Sequence, residues 1–323
     1  MKKSFLFGFA AAVALASCTT NEDVLQVSEQ RDLAFGTFVD KATKAPETTL
    51  EQNGKEFKVW GYYVAGTDGN WAEPTAIWAD GQTVKREAGV WVYSPVKQWI
   101  PNKQYRFYAL APTTISATCT SGASKTESGK ITVADFIVNP TISAQTDLMV
   151  ATRYDRNTNA MDNSAINLTF KHVLSKVTVQ FNSSSKYNIQ LTEVTLGNIA
   201  GKATGVMTPA LMAAGATVDA NWTLDEEAEA ISFPGVTTTD PLPAVDSKLP
   251  FISHQSMLMI PQEFTTKKPL NLNVKYTVDG KGDATTGEDY FEKSLEIVGT
   301  WTAGHSITYI ITIKTGDGDG SGL

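Results

Sequence analysis

Apolar and polar side chains alternate one for one across residues 270–278. Leu270, Leu272, Val274, Tyr276 and Val278 interleave with Asn271, Asn273, Lys275 and Thr277. Period two belongs to a strand with one buried and one wet face, as in an antiparallel sheet. Asp279-Gly280 then signals a hairpin, and residues 290–297 offer the return strand. Residues 173–181 repeat the alternation at Val177, Val179 and Phe181, and residues 307–313 repeat it at the odd positions. A β-branched and aromatic run, 59–64 (VWGYYV), is closed by the turn-rich 65–69 (AGTDG). Residues 90–93 and 105–111 read the same way. Helical periodicity is nearly absent, with single short turns expected at 209–214 and 224–230. Many short strands with regular turn signals predict an all-β protein of the β-sandwich kind rather than βαβ units. Residues 155–164 (DRNTNAMDNS) have almost nothing to bury. They set an expected boundary between a domain at 33–160 and a second at 161–323.

The N-terminus departs from this pattern. Met1-Lys2-Lys3 is basic, and residues 5–16 form an apolar stretch of secretory-signal length, too short for a stable membrane span. Small residues then lead into Cys18 through Leu15-Ala16-Ser17, the context in which a bacterial lipoprotein signal is cut and the thiol acylated. Residues 1–17 are therefore expected to be a signal peptide, Cys18 the lipidation site and 18–32 a polar tether. An N-acylated diacylglyceryl cysteine supplies the two or more chains that stable anchoring requires. No later stretch approaches about 18 uninterrupted apolar residues, so no stop-transfer helix is expected.

Removing residues 1–17 leaves 306 residues, enough for two ordinary domains. Lys2 and Lys3 leave with the signal, so 25 basic residues face 34 acidic ones, a balance of −9. That argues against a nucleic-acid partner and against charge-driven binding to anionic lipid. Cys119 is the one cysteine besides Cys18, which excludes a disulfide scaffold. Its setting, Thr118-Cys119-Thr120, has no neighbouring His to activate a thiol.

Catalytic and metal motifs are missing. His172, His254 and His305 stand far apart, without HExxH or CxxC spacing, and no GxSxG, Walker A or GxGxxG occurs. No enzyme activity, metal or cofactor is expected, and His172 reads as a structural residue at the head of a strand. Asp317 and Asp319 fall in a Gly/Asp tail that reads as flexible chain. Of seven tryptophans, Trp60, Trp71, Trp78, Trp91 and Trp99 lie in the first half. Trp71 and Trp78, flanked by turn residues, are the two expected at the surface, where rings stack on sugars or anchor interfaces.

Several phrases resemble the fimbrillin family, the lipoprotein pilins of the type V (protease-assembled) pili of Bacteroidetes. After Cys18 comes an early strand, Leu33-Ala34-Phe35-Gly36-Thr37-Phe38-Val39, leading to Lys41-Ala42-Thr43-Lys44-Ala45. Trp91-Val92-Tyr93 with Trp99, then Tyr105-Arg106-Phe107-Tyr108-Ala109, looks like the family's W-x-Y…W…Y-x-F-x-A block. Asp147-Leu148-Met149 resembles its D-L-M motif. Phe170-Lys171-His172-Val173-Leu174-Ser175-Lys176-Val177 resembles the opening of its second domain. Trp301-Thr302-Ala303-Gly304-His305 with Tyr309 resembles its penultimate strand.

This resemblance implies two transthyretin-like antiparallel β-sandwich domains in tandem, in a subunit polymerised by strand exchange. The lipidated precursor would reach the outer-membrane surface, and a protease would cut after a basic residue just past the first strand. Carried onto this chain, the removable strand carries Leu33, Phe35, Thr37 and Val39, and the cut follows Lys44 or Lys41. The family pattern has Arg at the cut, but Arg31 precedes the strand. Either a lysine-tolerant protease acts, or the chain stays uncut as a lipid anchor. The strand at 307–313 runs into a glycine-rich segment (GDGDGSGL) that is poorly suited to fill a groove. A minor, tip-like, adhesive subunit is therefore expected, one that accepts a donor strand. Expected partners are other fimbrial subunits, the processing protease, the membrane through the lipid on Cys18, and a surface glycan or protein. The alternative is a lipid-anchored glycan-binding protein that does not polymerise.

Overall fold

The computed structural model describes residues 32–39, 55–66, 70–157, 165–184, 189–209, 218–225, 228–232, 252–253, 256–278 and 290–314. These residues are almost entirely strand. The first are β1 (Phe35–Val39), β2 (Glu56–Ala65), β3 (Thr75–Glu87), β4 (Val90–Val92) and β5 (Lys103–Ala111). Then come β6 (Thr118–Thr120), β7 (Lys130–Ile137), β8 (Met149–Asn157), β9 (Ile166–His172) and β10 (Ser175–Ser183). A single 3-10 turn, Ile142–Ala144, lies between β7 and β8. Five further strands are β11 (Ile189–Ala200), β12 (Lys202–Pro209), β13 (Val218–Leu224), β14 (Ala228–Ser232) and β15 (Ile252–Ser253). The last six are β16 (Met257–Met259), β17 (Glu263–Phe264), β18 (Leu270–Val278), β19 (Tyr290–Ile297), β20 (Gly299–Thr300) and β21 (Ser306–Ile313).

A seven-stranded sheet runs β1-β9-β8-β5-β2-β3-β4. Its central strand β5 is buried along almost its whole length, as a strand covered on both faces should be. One face (Phe57, Val59, Phe107, Ala109, Met149, Leu168) forms a core of its own, rich in aromatic rings. The other (Trp60, Tyr62, Tyr108, Leu110, Val150) joins the larger core, shared with the sheet β13-β12-β7-β6 through Ile131, Val133, Ala203 and Met207. The same core continues between the sheet β14-β11-β18-β19 and the ladder in which β10 meets β15, β16 and β21.

The alternation in 270–278 is realised without exception. β18 is buried at Leu270, Leu272, Val274, Tyr276 and Val278 and half-exposed between them. It pairs antiparallel with β19, as the hairpin signal implies, and with β11 on its other side. The turn itself lies outside the described residues. One feature differs from expectation. Leu224 ends β13 and residues 228–232 form β14 along β11, so among the described residues of 224–230 no helical turn forms. An available sheet edge overrides a local Ala/Glu-rich preference. Pro209 closes β12, and the rest of 209–214 lies outside the described residues.

Pairing also crosses the expected boundary at 160/161. β9 lies in the first sheet beside β8 and β1, and β12 pairs with β7. Two pairings are parallel: β1 with β9, and β10 with β21.

Candidate functional site

The strand expected to be removable is β1, and its attachment is unusual. Its ladder partner is β9, in a five-residue parallel register from Phe35↔Ile166 to Val39↔Phe170. On its other side the chain closes the sheet just ahead of the strand. Asp32 bridges Gln98, and the Leu33 amide donates to the Lys97 carbonyl at 2.8 Å. The Tyr93 hydroxyl donates to the Leu33 carbonyl at 2.8 Å and accepts from the Lys97 amide at 3.2 Å. Burial is the main cause that raises the Tyr93 pKa above its ordinary value, so this latch stays protonated and able to donate.

Side chains fix β1 more firmly than its backbone does. Leu33 is 1% exposed and Phe35 6%. The Phe35 ring lies 5.8 Å from Phe57, 6.1 Å from Trp78, 5.6 Å from Tyr93 and 6.3 Å from Phe107. Three of these contacts are edge-to-face, the geometry aromatic quadrupoles favour. Rings from β2, β3 and β5, with Tyr93 just after β4, thus make a socket around one side chain of an edge strand. Thr37 is half-exposed, and the Val39 backbone pairs with Phe170. The lipidation site Cys18 and both candidate cut sites, Lys41 and Lys44, lie outside the described residues.

At the opposite end, β21 lies parallel to β10 over eight positions, Lys176↔Ser306 to Ser183↔Ile313. Trp301 Nε1 donates to the Tyr309 hydroxyl at 2.8 Å, so the W-x-A-G…Y phrase fastens this last strand. Two other phrases also meet in space. Asp147 of D-L-M places Oδ2 2.7 Å from Nδ1 of His172, both side chains being buried. His172 is therefore structural, as its strand position suggests. His305 turns Nδ1 toward the Ala303 carbonyl at 2.9 Å, and His254 lies outside the described residues.

The tryptophan expectation is corrected. Trp71 is 1% exposed and Trp78 7%, so neither offers a stacking surface. Trp78 belongs to the Phe35 socket. Trp71 is covered by Arg106, whose Cζ stands 4.1 Å from the ring centroid. Arg106 was not singled out by the sequence reading, yet it organises the 121–128 loop. Nη1 donates to the carbonyls of Ser121 (3.1 Å) and Glu127 (2.9 Å), and Nη2 to those of Ser124 (3.2 Å) and Lys125 (3.3 Å). Its visible trace in the sequence is a cation inside an otherwise aromatic strand. Beside it, the Tyr108 hydroxyl donates to the Ser121 carbonyl and accepts from the Gly129 amide. A Cβ on Gly129 would come within 2.4 Å of that phenol, so only glycine fits.

Cys119 is half-buried, and burial pushes its thiol far above the ordinary value, which fits an inert role. Among the described residues no cluster of three His, Cys, Asp or Glu is placed to hold a metal. Among them, too, no helix is long and apolar enough to cross a membrane.

The described residues form an all-β scaffold with a socketed edge strand. A family model described as fimbrillin-like matches residues 43–322, and the chain belongs to that family. The family places it among fimbrial or adhesin-like subunits. No curated protein matches it. Among solved structures, it is similar to a candidate cell adhesion protein from Bacteroides uniformis, at 15% identity and TM-score 0.47, covering 89% of this chain and 94% of that one. It is also similar to a fimbrial assembly protein from Parabacteroides distasonis, at 11% identity and TM-score 0.35, covering 88% and 93%.

Proposed function

We propose that this chain is a fimbrial subunit exported as a lipoprotein, acylated on Cys18 and carried to the outer-membrane surface. A protease there cuts after Lys44, or after Lys41, and releases β1 with the anchor. Two tandem transthyretin-like units, with β9 and the β12–β13 pair reaching across the seam, belong to the same proposal. The observation that carries it is the attachment of β1. One parallel ladder and one socket hold it, and its exit leads directly to the basic residues. Losing β1 would leave the β9 edge unpaired and the aromatic core open to water, and a strand from another subunit would repair both. The finer placement, a minor and tip-like subunit, rests on the glycine-rich segment after β21. Deleting residues 316–323 should then leave fibre incorporation unchanged.

Sequencing the N-terminus of the surface form tests the central claim. A start at Ala45 or Ala42, together with loss of polymer when Lys41 and Lys44 are both replaced by Ala, is the expected result. Acylated Cys18 on every surface molecule would overturn it. Burial of Trp71 and Trp78 removes the aromatic platform that favoured a glycan-binding module.

A further inference from the structure

We infer that the socket now filled by Phe35 sets the sequence rule for whatever strand replaces β1. The replacement must run parallel to β9 and carry an aliphatic side chain followed, two residues on, by an aromatic ring. This rests on the strand-exchange reading above and adds the chemistry of the partner.

The rule follows from what Leu33, two residues ahead of β1, and the positions of β1 itself meet. Leu33 enters the base of the aromatic core and is fully buried, so its counterpart must be apolar. Phe35 stands among four rings at centroid distances of 5.6–6.3 Å, three of them edge-to-face. An aliphatic side chain would forgo those edge-to-face contacts, and a small one would leave a cavity walled by Phe57, Trp78, Tyr93 and Phe107. The next residue, Gly36, sits where a Cβ would lie 2.4 Å from Asn167 Oδ1, so anything larger must turn the Asn167 side chain aside. Thr37 is half-exposed and demands little. Main-chain pairing to β9 recognises any extended segment, whereas the ring socket discriminates among them.

The test uses the purified full chain, nicked with trypsin in the 40–44 segment and isolated with its body intact by mass. It is then incubated with a labelled peptide of residues 33–39. Parallel samples receive the peptide with Phe35→Ala, Phe35→Leu or Leu33→Ser. The parent peptide should bind with release of the resident strand. Phe35→Ala and Leu33→Ser should each bind at least tenfold more weakly, and Phe35→Leu should fall between. Equal binding of all four peptides overturns the rule while leaving strand exchange standing. Failure of every peptide to enter, with residues 33–39 still held by the nicked body, overturns strand exchange and the rule with it.

Discussion

Replacing Arg106 by methionine should destabilise the protein by about 2–4 kcal/mol, from one unreplaced charge-assisted hydrogen bond and a lost cation–ring contact. The structure supports a figure in this range by two routes. Arg106 is 6% exposed, and its four acceptors are backbone carbonyls of a single loop. Hydrogen bonds to a charged donor contribute about 1.5–3 kcal/mol each. Residues 123–127 are exposed and can recover water, whereas the buried Ser121 carbonyl keeps only the Tyr108 hydroxyl as donor. Roughly one of the four bonds is therefore lost without replacement. Stacking over Trp71 at 4.1 Å and facing Tyr154 at 5.3 Å adds about 1–2 kcal/mol where the cation is desolvated. Relief from burying a charge offsets part of the total. Arg106→Lys keeps the charge but loses the fork, and should cost less, about 1–2 kcal/mol. Urea unfolding followed by tryptophan fluorescence gives the global change, and the rate of tryptic cleavage after Lys125 reports the loop. A methionine variant within about 1 kcal/mol of the parent, with Lys125 no more susceptible, would show that the loop holds itself and that Arg106 is incidental.

Tyr93→Phe removes the hydroxyl that receives the Lys97 amide and holds the Leu33 carbonyl. It should loosen the start of β1 by about 1 kcal/mol, read as faster hydrogen exchange at the Ile166 amide, which donates to the carbonyl of Ala34, just ahead of β1, at 2.7 Å. An unchanged exchange rate would dismiss the latch. Val274→Asp places a carboxylate at a fully buried position of β18 and should abolish stable folding, so a soluble variant with the parental melting temperature would contradict the face assignment. Burial also raises the pKa of Tyr62, Tyr93, Tyr105, Tyr108, Tyr276 and Tyr309 above 10 in the folded state. The folded state then holds these protons more tightly than the unfolded chain, so stability is complete below pH 10 and falls as pH rises above it. Phenolate absorbance should appear together with loss of near-ultraviolet dichroism, and ionisation of these residues in a still-folded protein near pH 10 would refute this.

Individual strands were legible because a two-residue period needs only local residues. β18 and β21 follow their alternation, down to the exposed Ile310 between half-buried neighbours. Pairing was not legible, because β9 meets β1 across more than a hundred residues of chain and nothing in either strand encodes the other. For the same reason nothing near 155–164 foretells that β9 pairs with β8 and β12 with β7. Trp71 misled for a related cause: its neighbours are turn formers, and the cation that covers it comes from β5. Asp147 and His172 fell in separate phrases of the family resemblance, and only the fold shows that those phrases touch. In the candidate site, the family resemblance marked 33–39 as a strand, but the four rings around Phe35 come from separate stretches of chain.

Residues 166–183 carry both ends of the described chain. β9 and β10 are separated by Val173 and Leu174 alone, and β1 lies parallel to the first while β21 lies parallel to the second. A pull on the start of β1 and the end of β21 therefore slides each strand along its neighbour instead of peeling it away. In that geometry the rungs share the load, and a ladder yields only when many break together. The stretch 166–183 thus acts as a mechanical clamp between the two attachment points, and a parallel strand seated in place of β1 would be loaded in the same way. Drawn end to end in a single-molecule experiment, the protein should resist higher force than when drawn across the same sheet, with the difference lying in its rate of forced unfolding.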